Sequence, residues 1–191
     1  MWSRVLARSG LDVCFSEGYN PHPRLSLPLP RSVGVRSDDE RLCATIFANN
    51  LSPVELAARI RSCLPKGCVI TDVELCGPGV SLSPAAAVYE LPLRSSVEEE
   101  IRRRVDQLNT WAVQGRAVIV ERQSKGRGPT SQIDVGAYIA SATMTGNIVS
   151  VDCRITPAGT VRVDEIMQLL GLDAGDIQEG VLRKSVQWNN N

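Results

Sequence analysis

Apolar residues recur along this chain in two rhythms, one near every second residue and one near every third or fourth. Leu11 to Phe15, Leu42 to Ala48 and Val69 to Leu75 read as strands in the first half. Between the last two, Leu56, Ile60, Cys63 and Leu64 form one stripe at helical spacing. Ser52, Pro53 and Glu55 mark the start of that helix through an S-x-x-E capping box with proline in its first turn. Trp2 to Ser9 reads as an earlier helix, closed by Gly10.

The second half repeats the order. Val88 to Leu93 is a predicted strand. Ser96 and Glu99 form a second capping box, and Val97, Ile101, Val105 and Leu108 follow on one helical face. Ala117 to Glu121 and Ile148 to Ile155 are predicted strands, and Ser124 to Gln132 a flexible loop. Val163, Ile166, Leu169 and Leu170 make a last helix before Gly171, and Val181 to Val186 closes the chain as a strand. The run Glu98-Glu99-Glu100 stands four residues before Arg102-Arg103-Arg104, so its charges support the helix instead of marking a nucleic-acid site.

Each half thus reads strand, helix, strand, strand, helix, strand, except that the first begins inside its first helix. The expectation is an α+β protein with tandem ferredoxin-like (βαββαβ) halves, the first lacking its opening strand. The halves are residues 1–76 and 88–191. Between them, residues 77–87 are rich in glycine, proline and alanine and read as a linker. In this topology the opening strand is central, and its loss leaves backbone groups without partners. Either Met1 is not the natural start, or a partner fills the gap.

The composition fits a globular domain, with 43% hydrophobic and 22% charged residues. Positive and negative charges balance at 21 each, so no global field draws the protein to a polyanion. Charge is uneven locally. Residues 1–36 carry five arginines against two acids, and residues 115–128 carry Arg116, Arg122, Lys125 and Arg127 against Glu121. Aromatics at 4% do not supply a broad stacking platform for single-stranded nucleic acid. No two of the six cysteines have C-x-x-C spacing, which argues against a zinc site, and Cys14, Cys43 and Cys153 read as small buried hydrophobes. No leader or membrane span is evident, and the expected location is the cytoplasm.

Chemistry concentrates at Cys14 to Val35. The only histidine, His22, stands between Pro21 and Pro23, with Pro28 and Pro30 close behind. Four prolines fix φ and remove donors, making a stiff extended segment. It presents Tyr19, Asn20, His22 and Arg24. His22 is a weak candidate general base, and its alternative role is to lock the loop by bonding backbone groups. Arg24 binds phosphate or pairs with Glu17. On the second half, Arg122, Lys125, Arg127 and Asp134 form a candidate counterpart patch. There is no C-x-x-x-C-x-x-C cluster motif, no D-x-H-x-x-G pattern and no phosphate loop, so the residues call for no cofactor or metal.

The core of this stretch resembles F-S-x-G-[FY]-N-P-H-P-R-[LI]-S. It matches at Phe15, Ser16, Gly18, Tyr19, Asn20, Pro21, His22, Pro23, Arg24, Leu25 and Ser26. On those residues the chain resembles the radical-SAM-linked protein family, domain of unknown function family 2344. The likeness extends more weakly to Arg122, Lys125, Asp134 and Leu182-Arg183. Family members are fused to, or encoded beside, a cobalamin-binding radical-SAM protein. The family's usual basic first strand and Ser-His-Leu-Asp segment are absent here. The resemblance implies a non-catalytic accessory module of that protein, recognising its substrate, with RNA the leading candidate. The alternatives are a protein-interaction subunit completed by a partner strand and a metal-independent ribonuclease using His22.

Overall fold

The computed structural model describes residues 1–47, 51–77, 79–94, 98–123 and 130–190. Its helices are α1 (Trp2–Arg8), α2 (Pro53–Arg61), α3 (Glu98–Gln114) and α4 (Val163–Leu170). Its strands are β1 (Leu25–Ser26), β2 (Arg36–Ser37), β3 (Cys43–Ala44), β4 (Leu82–Pro92), β5 (Ile119–Gln123), β6 (Thr130–Asp134), β7 (Ile139–Thr145), β8 (Ile148–Arg154) and β9 (Leu182–Asn190). The architecture is α+β. The chain divides into two compact units. One comprises Met1–Pro28 with Arg41–Ser81, the other Leu29–Glu40 with Leu82–Asn190. Leu29–Glu40, although within the first 76 residues, therefore folds with the second unit.

The second unit is built on a five-stranded sheet in the order β2-β9-β4-β8-β7. β2 runs parallel to β9, and every other pair is antiparallel. Alternation along β4 and β8 sends Tyr89, Leu91, Val149 and Val151 into the core. There they meet Ile101, Val105 and Leu108 of α3 and Ile166 and Leu170 of α4. The exposed face of α3 carries two of the expected i,i+4 ion pairs, Arg103 with Glu99 at 3.5 Å and Arg104 with Glu100 at 3.1 Å. Ser96 and Val97 lie outside the described residues.

Three expectations change in this unit. β4 begins at Leu82, not Val88, so the later part of the alanine-rich stretch is strand. Ala117 to Glu121 does not join the main sheet. It leads into β5, which pairs with β6 as a separate hairpin, and β6 takes up residues expected to be loop. The neighbour of β8 is β7, whose polar exposed positions hid its strand character.

The segment Leu29–Glu40 is fastened to β9 by a buried cation. Arg183 is 1% exposed. It donates from Nη1 to the Leu29 carbonyl (2.9 Å), from Nη2 to Glu40 Oε1 (3.1 Å) and from Nε to Ser37 Oγ (3.2 Å). Asp39 accepts from the Val186 amide (2.8 Å) and from Trp188 Nε1 (3.1 Å). The acidic run Asp38-Asp39-Glu40 is thus spent on the end of the sheet.

The first unit is sparser. α1 and α2 pack Leu6 and Leu56 against Leu11 and Val13, with Leu25, Ile46 and Val73 at the margins. Ser52 caps α2 as expected, with reciprocal bonds to Glu55 at 2.9 and 3.3 Å. The expected strands are mostly missing. Leu11 to Phe15 makes only isolated bridges, Val13 with Ile46 and Phe15 with Pro23. Leu42 to Ala48 is strand only at β3, which pairs with β1, and Ala48 lies outside the described residues. Val69 to Leu75 is not a strand. Its residues have strand propensity, but among the described residues no strand pairs with their backbone.

Candidate functional site: the proline-bracketed loop

Rigid prolines and one glycine set the shape of the loop. Gly18 has φ 124°, a conformation open to glycine and strained for other residues. Across the loop's base, the Ser16 amide donates to the His22 carbonyl (2.8 Å), and the His22 amide donates to Ser16 Oγ (3.0 Å). One step lower, the Arg24 amide donates to the Cys14 carbonyl (2.7 Å) and the Thr45 amide to the Arg24 carbonyl (2.9 Å). The excursion Ser16–His22 is therefore closed at its neck and rooted in the first unit's small sheet. The lock uses the backbone of His22, not its imidazole as expected. Ser16 is the residue that sequence reasoning missed. A serine six residues before a proline-flanked residue was the available signal.

With the backbone so held, the side chains point outward. Tyr19 is fully exposed, and Asn20, His22 and Arg24 are exposed too. Among the described residues none of the four makes a side-chain hydrogen bond or ion pair, so Arg24 is not paired with Glu17. The loop thus presents an aromatic face, an amide, an imidazole and a guanidinium, all unspent. At its root Phe15 is half-exposed and, with Pro23, Val13 and Leu6, lines an apolar groove of about 330 Å³ that also holds Asp12. A catalytic imidazole is oriented by a second group. No described side chain bonds that of His22. The arrangement suits recognition: stacking by Tyr19, phosphate or carboxylate binding by Arg24, and hydrogen bonding by Asn20 and His22.

The second-unit candidates have other duties. Arg122 is clamped to Glu165, Nε to Oε1 at 2.6 Å and Nη2 to Oε2 at 2.8 Å, and donates also to the Thr160 carbonyl at 2.9 Å. Glu165 is 2% exposed and accepts the Arg162 amide at 2.7 Å. Burial pushes its carboxyl up, but the Arg122 and Arg162 bonds outweigh that and leave it below the ordinary carboxylate range. Arg122 ties the β5–β6 hairpin to the start of α4. Asp134 Oδ1 accepts the Val118 amide (2.8 Å) and the Gly136 amide (2.9 Å), shaping the turn after β6. That turn has no room at Gly136, where an added Cβ would meet the Arg116 carbonyl at 2.5 Å. Lys125 and Arg127 lie outside the described residues. Arg122 and Asp134 are architectural, and within the second unit their polar atoms do not form an open patch.

All six cysteines are free thiols. Cys153 is buried as expected and its thiol is pushed up to about 12 by that burial, whereas Cys14 and Cys43 are only half-buried. Among the described residues no cluster of three or more metal-ligating side chains occurs, and no helix is long and apolar enough to cross a membrane.

No curated protein matches the chain. A family model described as "Uncharacterized protein conserved in bacteria (DUF2344)" matches residues 1–167, which include the whole proline-bracketed loop and the helices α2 and α3. The chain belongs to this family of uncharacterized bacterial proteins, DUF2344.

Proposed function

We propose that this protein is a non-catalytic recognition module whose proline-bracketed loop binds RNA, the substrate of a cobalamin-dependent radical-SAM protein. The observation that carries this reading is the loop itself. Its backbone is locked by Ser16 and His22, while Tyr19, Asn20, His22 and Arg24 are exposed and unspent. A preorganised loop loses little entropy on binding. Tyr19 supplies a stacking face and Arg24 a phosphate contact. Phe15 and the groove beside it accept an unstacked base. The radical-SAM partner comes from the resemblance of the loop motif alone.

The test is affinity for a hairpin RNA across a salt series. Binding should weaken with salt. Arg24→Ala should lower affinity about tenfold and flatten the salt slope by about one contact, and Tyr19→Ala should lower affinity without changing the slope. An affinity at low salt that neither variant alters would remove the RNA reading. Co-purification with the radical-SAM protein but without RNA would leave a protein-interaction subunit in its place.

The same proposal carries a reading of the fold as two ferredoxin-like units. The order β9-β4-β8-β7, with α3 after β4 and α4 after β8, supports it for the second unit. In the first unit α1, residues 11–15, residues 42–47, α2 and residues 69–75 follow in the sequence order of α3, β7, β8, α4 and β9. Among the described residues, β4 and the β5–β6 hairpin have no counterpart there.

A further inference from the structure

The proline-bracketed loop is an excursion from one side of the first unit's small sheet. Residues 12–14 and 24–26 meet the same edge of residues 42–47. The Phe47 amide donates to the Asp12 carbonyl (2.8 Å), the Cys14 amide to the Thr45 carbonyl (2.8 Å) and the Thr45 amide to the Arg24 carbonyl (2.9 Å). Leu25 and Ser26 stand opposite Ala44 and Cys43. Alternation sorts the side chains to two faces. Val13, Leu25 and Ile46 turn to α1 and α2, where they join Leu6 and Leu56 in the core. The opposite, helix-free face carries Arg24, Ser26, Cys43, Thr45 and Phe47. Strands pair through their edges, so a strand lying beside residues 42–47 leaves this face open. Phe47 is 57% exposed and is not among the residues packed on the core. Arg24, Ser26 and Thr45 are exposed beside it. Asp12 stands opposite Phe47. Arg41 lies beyond Cys43, whose thiol is pushed up by burial and by Cys76 and drawn down by the Arg41 charge.

We propose that an unpaired stretch of RNA crosses this helix-free face, with one base stacked on Phe47 and a phosphate held by Arg24. This rests on the RNA reading of the loop given above and adds a second stacking site to it. Thr45, which bonds Arg24, is two residues from Phe47, about 7 Å along the strand, so neighbouring parts of one nucleotide reach both. Charge sets the orientation. Arg24, with Arg41 farther along, makes one end of the face positive and attracts phosphate. The Asp12 carboxylate repels phosphate from the other end and leaves Phe47 to a base. The hydroxyls of Ser26 and Thr45 lie between and suit sugar and phosphate oxygens. A duplex does not meet these requirements, because its bases are stacked on one another and hidden from a ring on a flat sheet. The substrate class is therefore single-stranded RNA, or the loop or bulge of a folded one.

The test is binding of the full chain to an unstructured RNA of about ten nucleotides and to the same sequence as a blunt duplex. The single strand should bind at least about tenfold more tightly. Phe47→Ala should lower single-strand affinity about tenfold, and Phe47→Trp should keep it, because stacking needs a ring. Phe47→Leu retains apolar bulk, which guards against a folding defect, and should lose affinity as alanine does. Thr45→Glu sets a carboxylate beside Arg24 and should weaken binding. Val54→Glu, at a 77% exposed position on α2, should leave it unchanged. If Arg24→Ala weakens binding while Phe47→Ala and Phe47→Leu do not, the face is unused, and the inference fails while the loop reading stands. Equal affinity for duplex and single strand would also overturn the inference. If neither RNA binds at low salt, the RNA reading and the inference fall together.

Discussion

The two units differ most in what their sheets can bury. Among the described residues, twenty-three buried apolar residues pack together in the second unit and four in the first. The second has strands of seven to eleven residues in its main sheet, apart from the short β2. The first has strands of two. Their helices are less unequal, because a helix closes its hydrogen bonds locally and a strand needs neighbours. Strands of two residues make few ladder bonds, and Phe47, Val69 and Leu75 of the first unit stay exposed. The largest expected effect is therefore a split unfolding transition. Trp2 reports on the first unit, and Trp111 and Trp188 on the second. A variant retaining only Trp2 should lose its signal at clearly lower urea than one retaining only Trp188, with stabilities several kcal/mol apart. Coincident transitions would break the comparison.

Core truncations sharpen it. Leu91 in β4 is fully buried, and Leu56 in α2 is 2% exposed. By size and burial the two substitutions to alanine are alike. Leu91→Ala should cost about 3–5 kcal/mol, read from the Trp188 transition. Leu56→Ala removes one of four core members, so it should abolish the Trp2 transition while leaving that of Trp188 in place. Equal losses in both transitions would mean that the units fold as one.

Glu165 comes next. Changing it to glutamine removes the charge opposite Arg122 but keeps the shape. Arg122 retains 15% side-chain exposure and can regain water, so the cost at neutral pH should be about 2–3 kcal/mol, below that of a fully buried pair. The pH dependence has a definite sign. The folded carboxyl titrates below the ordinary 4.5, so its stabilisation is complete above that value and is lost as pH falls through the folded pKa. The stability gap between the natural protein and Glu165→Gln should be flat above pH 4.5 and should narrow below it. A gap that stays constant under acid conditions would show that the charge is not what stabilises the hairpin.

What the sequence made legible follows the same division. Both helix faces and the Ser52 cap were readable because their signals are local: Leu56 and Ile60 on α2, Ile101, Val105 and Leu108 on α3. Strand partners were not, because Val69 to Leu75 has the composition of a strand yet is not one, and Ala117 to Glu121 runs into β5 of a separate hairpin, not into the main sheet. β7 has no counterpart among the predicted strands, and its exposed Ser141, Thr143 and Thr145 break the apolar run that marks a strand. Of the candidate site, the exposed loop residues were legible from proline stiffness. The fates of Arg122 and Asp134 were not, since each depends on a partner distant in sequence or on a backbone amide.

The smallest expected effect lies in the loop. Ser16→Ala removes the bond from the His22 amide to Ser16 Oγ but leaves the reverse bond, from the Ser16 amide to the His22 carbonyl. The loop is solvent-exposed, so both unfolding transitions should move by less than about 0.5 kcal/mol. Locally, the His22 amide should exchange several-fold faster. If the lock preorganises Tyr19 and Arg24, RNA affinity should fall by roughly twofold to fivefold, because binding then has to order the loop. Gly18→Ala strains the same loop through φ instead of a side-chain bond and should act in the same direction. Faster exchange at His22 with unchanged affinity would separate the lock from recognition. Unchanged exchange would mean that prolines 21 and 23 hold the loop without the serine.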